Sequence, residues 1–483
     1  MKLLSILTVV ALASVLPAVS SVRRYESIIT FGDSFTDTGN AVVVLAEKSR
    51  FDPTVQPPYG MTFFGRPTGR SSNGRLIIDF IAEKLDLPFV PPFLSHNGSF
   101  REGVNFAVAG ATALDASFFR DIPLVGSFVL NTSSSVQLGW FDSLKPSLCS
   151  PAQECPGFFH KTLFFMGEIG LNDYSFAVFG MTLPQLRSIV PDVVKTIAEA
   201  TEVLLRQGAK TVVVPGIPPL GCMPPNLFFF PSNESAGYEP HTGCLKGLNE
   251  IAMHHNSELH KALDKVRGNH PNARVIYADF FTPVIEMVAA PQNFGLTTDV
   301  LSCCCGGGGK YNFNISAGCG MPGATVCEDP SEYLYWDGHF TEAAHRYIAK
   351  GWLNSINSCK PWDELEKNRD VWMLLVGFPF DKREIHEIAN SVRYFAQQVQ
   401  LPPQESVILH HILQLDAGPL AVPQDLVTNS VAHSVALLDL TDLGSAALPQ
   451  DTNVPNETVN GDDLVDLKDF FALYLTQGDD PIL

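Results

Sequence analysis

Five short runs of near-continuous apolar residues punctuate the chain: SIITFGD (27–33), GVNFAVAG (103–110), TLFFMGEIG (162–170), TVVVPG (211–216) and RVIYADF (274–280). Runs this short, without in–out alternation, fit strands covered on both faces, as in a parallel sheet. Between them the apolar positions switch to helical spacing, in RLIIDFIAEKL (75–85), DVVKTIAEATEVLLRQG (192–208) and GLNEIAMHHNSELHKALDKV (247–266). A further helix is predicted in TEAAHRYIAKGWL (341–353), after the last strand. Strand–helix alternation predicts an α/β protein, a doubly wound sandwich of helices on both faces of a parallel sheet. In that architecture ligands sit beyond the carboxyl ends of the strands.

Those ends carry the polar residues. The first strand runs into GDSFTDTGN with Ser34, the second into AVAGAT with Gly110, and the third into GEIGLNDY with Gly170 and Asn172. Asp337 and His339 stand one glycine apart in YWDGHFTEAAH (335–345), just before the last predicted helix. A serine hydroxyl becomes a nucleophile when a histidine takes its proton, and that histidine needs an orienting partner. The oxyanion that forms needs donors already in place. Ser34, Gly110, Asn172 and His339 supply a nucleophile, an unobstructed backbone N–H, a side-chain amide and a base. Each is bland alone, since a GDS tripeptide is common and an Asn after a strand is usually a turn former.

Together, in this order, the blocks FGDSFTDTGN, GVNFAVAGAT, GEIGLNDY, VPGIPPLGCMP and YWDGHFTEAAH resemble the plant branch of the GDSL esterase/lipase family, the SGNH hydrolases. PPYGMTFFGRPTGRSSNGRLIIDFIAE and CCCGGGGKYNFNISAGCG match the plant type as well, so the resemblance covers about residues 25–355. It implies a flavodoxin-like three-layer α/β/α sandwich with a central parallel five-stranded sheet. It also implies Ser34 as nucleophile, His339 as base and Asp337 as its orienter. The oxyanion hole would comprise the Ser34 amide, the Gly110 amide and the Asn172 side chain. The implied activity is carboxylic-ester hydrolysis without metal or cofactor, on a small-molecule, lipid or sugar ester. Phe35 stands where the family name has Leu, a conservative apolar change.

One departure matters. The family pattern is W-D-G-x-H-x-T-E-A-A, with two residues between Asp and His, whereas WDGHFTEAA has one. Since HFTEAA keeps His339 in register with its helix, the missing residue displaces Asp337. A residue spans up to about 3.6 Å, far more than a hydrogen bond tolerates. Three outcomes are open: the loop tightens around Gly338, His339 turns to another acceptor, or the histidine loses its orientation. The last costs serine hydrolases on the order of 10⁴ in rate. Two rival functions follow, acyl transfer to an alcohol on the same apparatus and a catalytically weak or silent ester- or glycan-binding relative.

Composition narrows the setting. With 483 residues, 45% hydrophobic and 17% charged, the chain suffices for one large domain and an appendage. The net charge of −19 argues against nucleic acid or an anionic membrane surface as partner. Residues 1–21, MKLLSILTVVALASVLPAVSS, have the lysine, apolar run and small-residue end of a secretory signal peptide. No other stretch is long and apolar enough to span a bilayer. Secretion through the ER, to the cell exterior or the vacuole, suits the ten cysteines as disulfides and the N-x-S/T sequons at Asn97, Asn131, Asn233, Asn314 and Asn456. Cys149–Cys155 and Cys222–Cys244 are plausible pairs; Cys303, Cys304, Cys305, Cys319 and Cys327 stay unconnected, and Cys359 is a candidate leftover. The 33 phenylalanines suit an apolar pocket, though most belong in the core.

Several signals are rejected. CGGGGKY has Cys304 and Tyr311 where a phosphate loop needs Gly and Ser/Thr, and reads as a disulfide-pinned loop. No G-x-S-x-G elbow occurs. His254, His255 and His260 lack metalloprotease spacing and read as helix histidines. The domain predicted over residues 22–355 is followed by a C-terminal extension (356–483) of foreign composition, either partly disordered or a fused passenger. In it VWMLLVGF (371–378) reads as a strand and KREIHEIANSVRYFAQQV (382–399) as a helix, in a stretch faintly resembling retroelement-derived plant proteins. DTNVPNETVNGDDL (451–464) fails as a calcium loop, because Pro455 interrupts the ligand pattern and no Glu closes it.

Overall fold

Ser27–Phe31 forms strand β1, every residue of it buried, flanked by β2 (Gly103–Asn105) and β3 (Thr162–Met166). β4 (Thr211–Pro215) and β5 (Arg274–Ala278) complete a sheet of order β2-β1-β3-β4-β5. All pairs are parallel, and Ile29 lies opposite Val104 on one side and Phe164 on the other. The computed structural model describes residues 24–126, 128–149, 154–297 and 299–358. The leader, Cys359, Asn456 and the segments expected after residue 358 lie outside the described residues.

The main helices are α1 (Asn40–Glu47), α2 (Ile77–Lys84), α3 (Ser134–Leu148), α4 (Leu171–Ala177) and α5 (Leu183–Arg206). They continue with α6 (Lys246–Asn269), α7 (Phe281–Ala289) and α8 (Glu342–Asn357). α5 and α6 pack on each other and against the sheet, while α8 packs on β5 and α2. Among the described residues no helix is long and apolar enough to cross a membrane.

The predicted helix at 192–208 instead begins at Leu183. Thr182 and Gln185 form a capping box, with the Thr182 N–H donating to Gln185 Oε1 at 2.8 Å. Leu186, Ile189, Val190, Val193, Ile197 and Leu204 then supply a buried stripe at helical spacing. Each such side chain contributes about 1.5–3 kcal/mol on burial. The strands stop one to five residues short of the apolar runs that predict them, because the chain leaves the sheet at the polar loops. In this sheet order the direction of winding reverses between β1 and β3, which opens a crevice at their carboxyl ends.

Four disulfides join Cys149–Cys155, Cys222–Cys244, Cys304–Cys327 and Cys305–Cys319, and Cys303 is a buried thiol. The glycine-rich loop is thus pinned at both ends, with β6 (Cys305–Gly306) antiparallel to β7 (Thr325–Val326). Asn97, Asn131 and Asn233 are exposed, whereas Asn314 is half-buried and donates to the Gly307 carbonyl at 3.3 Å.

An ion pair fixes where α8 starts. The Arg75 guanidinium bonds Glu342 Oε1 at 2.6 and 3.1 Å and lies over Phe63 and Phe80. The Glu342 N–H donates to Asn73 Oδ1 at 2.8 Å. Both members of the pair are nearly buried, with side chains 10% and 5% exposed. Glu342→Ala therefore leaves Arg75 with only its half-exposed partner Glu83, and urea unfolding should show a loss of about 3–5 kcal/mol. Glu26→Ala, which breaks the exposed Glu26–Lys161 pair, should stay within about 0.5 kcal/mol. Equal effects at the two sites would refute the assignment.

Candidate active site

Three loops meet in the crevice. After β1, the Asp33 carbonyl accepts the N–H groups of Thr36 (3.0 Å) and Asp37 (2.8 Å), closing a turn that holds Ser34 at 6% exposure. Asp33 Oδ1 caps the same turn by accepting the Phe35 N–H at 3.1 Å. Asp37, fully enclosed, receives four backbone N–H groups: Gly39 and Asn40 at 2.7 Å, and Ala41 and Ala109 at 2.9 Å. The bond to Ala109 ties the serine turn to the loop bearing Gly110. Asp173, next to Asn172 in α4, accepts the Ala113 and Leu114 N–H groups at 2.7 and 2.9 Å, tying that loop to the third. Burial nonetheless outweighs these bonds, pushing Asp37 up to about 6 and Asp173 up to about 7.

Two amides in this enclosure have no acceptor. Neither the Ser34 N–H nor the Gly110 N–H donates to any group among the described residues. Unpaired N–H groups at such sites are rare, and these two lie on the serine turn and on the loop that Asp37 ties to it. Gly110 takes φ +80°, which favours glycine, and a Cβ there would face only the Phe176 ring at 3.8 Å. Asn172 differs: its Nδ2 protons go to Asp33 Oδ2 at 2.9 Å and the Ala111 carbonyl at 3.0 Å. The structure brings Asn172 beside the serine turn, but as an amide already engaged. Gly170, at φ +118°, caps the start of α4.

The shortened Asp-Gly-His stretch closes into a tight turn around Gly338, the first of the three outcomes left open by the spacing. Tyr335 pairs with Phe340 across it, and the Trp336 N–H donates to the His339 carbonyl at 2.7 Å. Asp337 Oδ1 accepts the His339 backbone N–H and ring Nδ1, both at 2.9 Å. One oxygen thus serves as an Asx-turn acceptor and as the ring's partner, which an intervening single residue permits. Gly338 sits at φ +128°, a conformation that favours glycine, and a Cβ would also meet Pro225 at 2.9 Å.

The turn is braced from behind. The Cys304 and Cys305 N–H groups donate to the carbonyls of Tyr335 (2.9 Å) and Trp336 (2.7 Å). Trp336 packs with Tyr59 and the disulfide cysteines Cys304, Cys305 and Cys319, and the Tyr59 hydroxyl donates to Asp337 Oδ2. Burial opposes the Asp337 charge, yet His339 and the bonds from His339 and Tyr59 hold its carboxyl below the usual range. Burial likewise opposes imidazolium at His339, and the Asp337 charge, the hydrogen bond to it and Asp33 prevail, raising the ring above its ordinary 6.5. His345, in the same stretch, is pushed down to about 3 by burial and by the His339 charge.

Sequence reading missed Tyr59, Asp33, Asp37, Glu168 and Asp173. The signal for the acids was their position at the ends of unbroken apolar runs, where a carboxyl must be buried and bonded. Among the helix histidines, His255 is buried against the Tyr174 hydroxyl at 2.8 Å and His260 lies on the Tyr277 ring. An aromatic border flanks the crevice, with Phe176 beside Gly110 and Phe313 near Gly338. Phe228 and Phe229 join Phe313 to Phe179.

The profile of the GDSL-like lipase/acylhydrolase family matches residues 28–352. An Arabidopsis thaliana GDSL esterase/lipase is 43% identical over 75% of this chain and 92% of its own length. A second from that plant is 44% identical, over 68% and 91%. The sinapine esterase of Brassica napus is 44% identical over 69% of this chain and 86% of its own. With that profile across two thirds of its length and the five-stranded parallel sheet beneath it, this chain belongs to the GDSL-like lipase/acylhydrolase family.

Proposed function

We propose that the chain is a secreted carboxylic-ester hydrolase whose reaction runs on Ser34, His339 and Asp337. The observation that carries this reading is the pair of unpaired amides at Ser34 and Gly110 in an otherwise bonded enclosure. Ser34 Oγ attacks the ester carbonyl as His339 takes its proton, with Asp337 holding Nδ1 and leaving Nε2 to act. The carbonyl oxygen becomes an oxyanion received by the two free amides, and Asn172 Nδ2 joins when one of its bonds is shared. His339 returns the proton to the leaving alkoxide, and water then releases the acid by the same route. The aromatic border favours an apolar acyl or alcohol part. The leader (1–21), the catalytic domain (22–355), the extension (356–483) and glycosylation at the exposed sequons belong to the same reading.

Full-length protein recovered from a secretory host should hydrolyse p-nitrophenyl butyrate, and Ser34→Ala should remove on the order of 10⁴ or more of that rate. A glycine inserted between Gly338 and His339 should lower turnover about 100-fold, because the one-residue turn is the geometry that seats Asp337. A rise in rate on insertion would mean that the short turn is a defect.

The pH profile tests the histidine. His339 acts as a neutral base, and its pKa is raised, so kcat/KM should fall as pH drops through a value above 6.5. Asp337→Asn removes the two main raising influences and should move that limb to lower pH, with a plateau rate lower by about 10⁴. Tyr59→Phe removes one bond to a charged carboxylate, and about a tenfold loss in kcat is expected. A limb unmoved in Asp337→Asn would sink the assignment.

A further inference from the structure

Behind the serine turn lies a pair of carboxyls that no lysine or arginine bridges among the described residues. The Asp33 N–H donates to the Glu168 carbonyl at 3.1 Å, which sets the two loops side by side. Their carboxyls also lie close enough for each to shift the proton affinity of the other. Both residues are wholly inaccessible to solvent. Glu168 Oε1 accepts the Leu171 N–H at 3.2 Å, and Oε2 has no hydrogen-bond partner among the described residues. Two ionised carboxylates offer only acceptors, so a bond between them exists only while one carries a proton. Burial raises both acids, Asp33 to about 7 and Glu168 well above its ordinary value, and Glu168 is the one with an oxygen left unbonded and one donor fewer than Asp33 to hold a charge.

Asp33 is also the residue to which Asn172 Nδ2 donates, and it immediately precedes the nucleophile. We propose that Glu168, as a carboxylic acid donating to Asp33, is a positioning residue of the oxyanion hole. It aims the Asp33 carboxylate that holds the Asn172 amide and the Phe35 N–H, and it keeps the pair at one negative charge instead of two. A second buried charge would oppose an oxyanion forming beside it. Asp37, Asp173 and His339 also act on the pair, and among the described residues neither acid forms a salt bridge with a lysine or arginine. This inference rests on the esterase reading for its effect on rate, while the shared proton stands independently.

The test compares Glu168→Gln with Glu168→Ala in the full-length protein, with Ser34→Ala as blank, measuring kcat and KM for p-nitrophenyl butyrate across the pH range. Gln keeps a neutral donor toward Asp33, so its kcat should lie within about threefold of wild type, and Ala should lose roughly 30-fold in kcat at unchanged KM. Wild type should lose activity at alkaline pH as Glu168 gives up its proton, and Glu168→Gln should not. Infrared difference spectra should show a protonated-carboxyl stretch in wild type that Glu168→Gln lacks. Gln and Ala variants with equal kcat and an unshifted alkaline limb would overturn the proposal, as would absence of that band from wild type. Wild-type turnover no better than Ser34→Ala would defeat the esterase reading instead, and the infrared band would then decide the shared proton by itself.

Discussion

Carboxylates enclosed among backbone N–H groups hold the loops of this crevice together. Asp37 binds the serine turn to the Gly110 loop, and Asp173 binds that loop to the helix bearing Asn172. Asp33 closes the serine turn on itself and receives Asn172. None of these acids has a lysine or arginine partner among the described residues. Their compensation comes from peptide dipoles, which are fixed in direction by the loops and in turn fix the loops. A loop that follows a parallel strand has its own N–H groups to satisfy once it leaves the sheet, and each carboxylate meets several of those demands at once. The amides left over, at Ser34 and Gly110, are conspicuous because their neighbours are so fully used.

The histidine turn solves a different problem. Removing one residue between Asp337 and His339 shortens the chain, and the remaining link can close only if Gly338 adopts a conformation foreign to other residues. Such a turn has little intrinsic rigidity. Support comes from outside it: the disulfide-pinned loop donates to Tyr335 and Trp336, Tyr59 grips Asp337, and Arg75 anchors Glu342 at the start of α8. The cysteine-rich loop thereby takes part in holding His339 against Asp337.

How much of this the sequence reveals depends on the range of the interaction. The sheet and its helices are legible because period and run length are local, and the serine, glycine, asparagine and histidine loops follow from the rule about strand ends. Helix α5 starts earlier than its apolar stripe suggests because its capping box precedes the stripe. Tyr59 lies 278 positions from Asp337, and no local pattern announces that contact. The Asp337–His339 spacing is the reverse case: read along the chain it looks too short, and only the φ of Gly338 and the bracing from Cys304 and Cys305 make it geometrically sufficient. The cysteine pairings of the 303–327 region were likewise open until the fold brought Cys304 to Cys327 and Cys305 to Cys319.

The same buried acids set opposing demands on pH. Asp37 and Asp173 have folded values of about 6 and about 7, above the ordinary 3.8. A raised carboxyl binds its proton more tightly in the folded state, so the stability it contributes is complete below its unfolded value and is lost as pH rises through about 6 to 7. In the proposed esterase His339 works in the other direction, since a base must be neutral and its raised pKa delays that until pH exceeds 6.5. On that proposal activity grows over the interval in which the loop carboxyls give up their stabilising protons. The four disulfides carry no titratable group, and they brace the fold while its acids ionise.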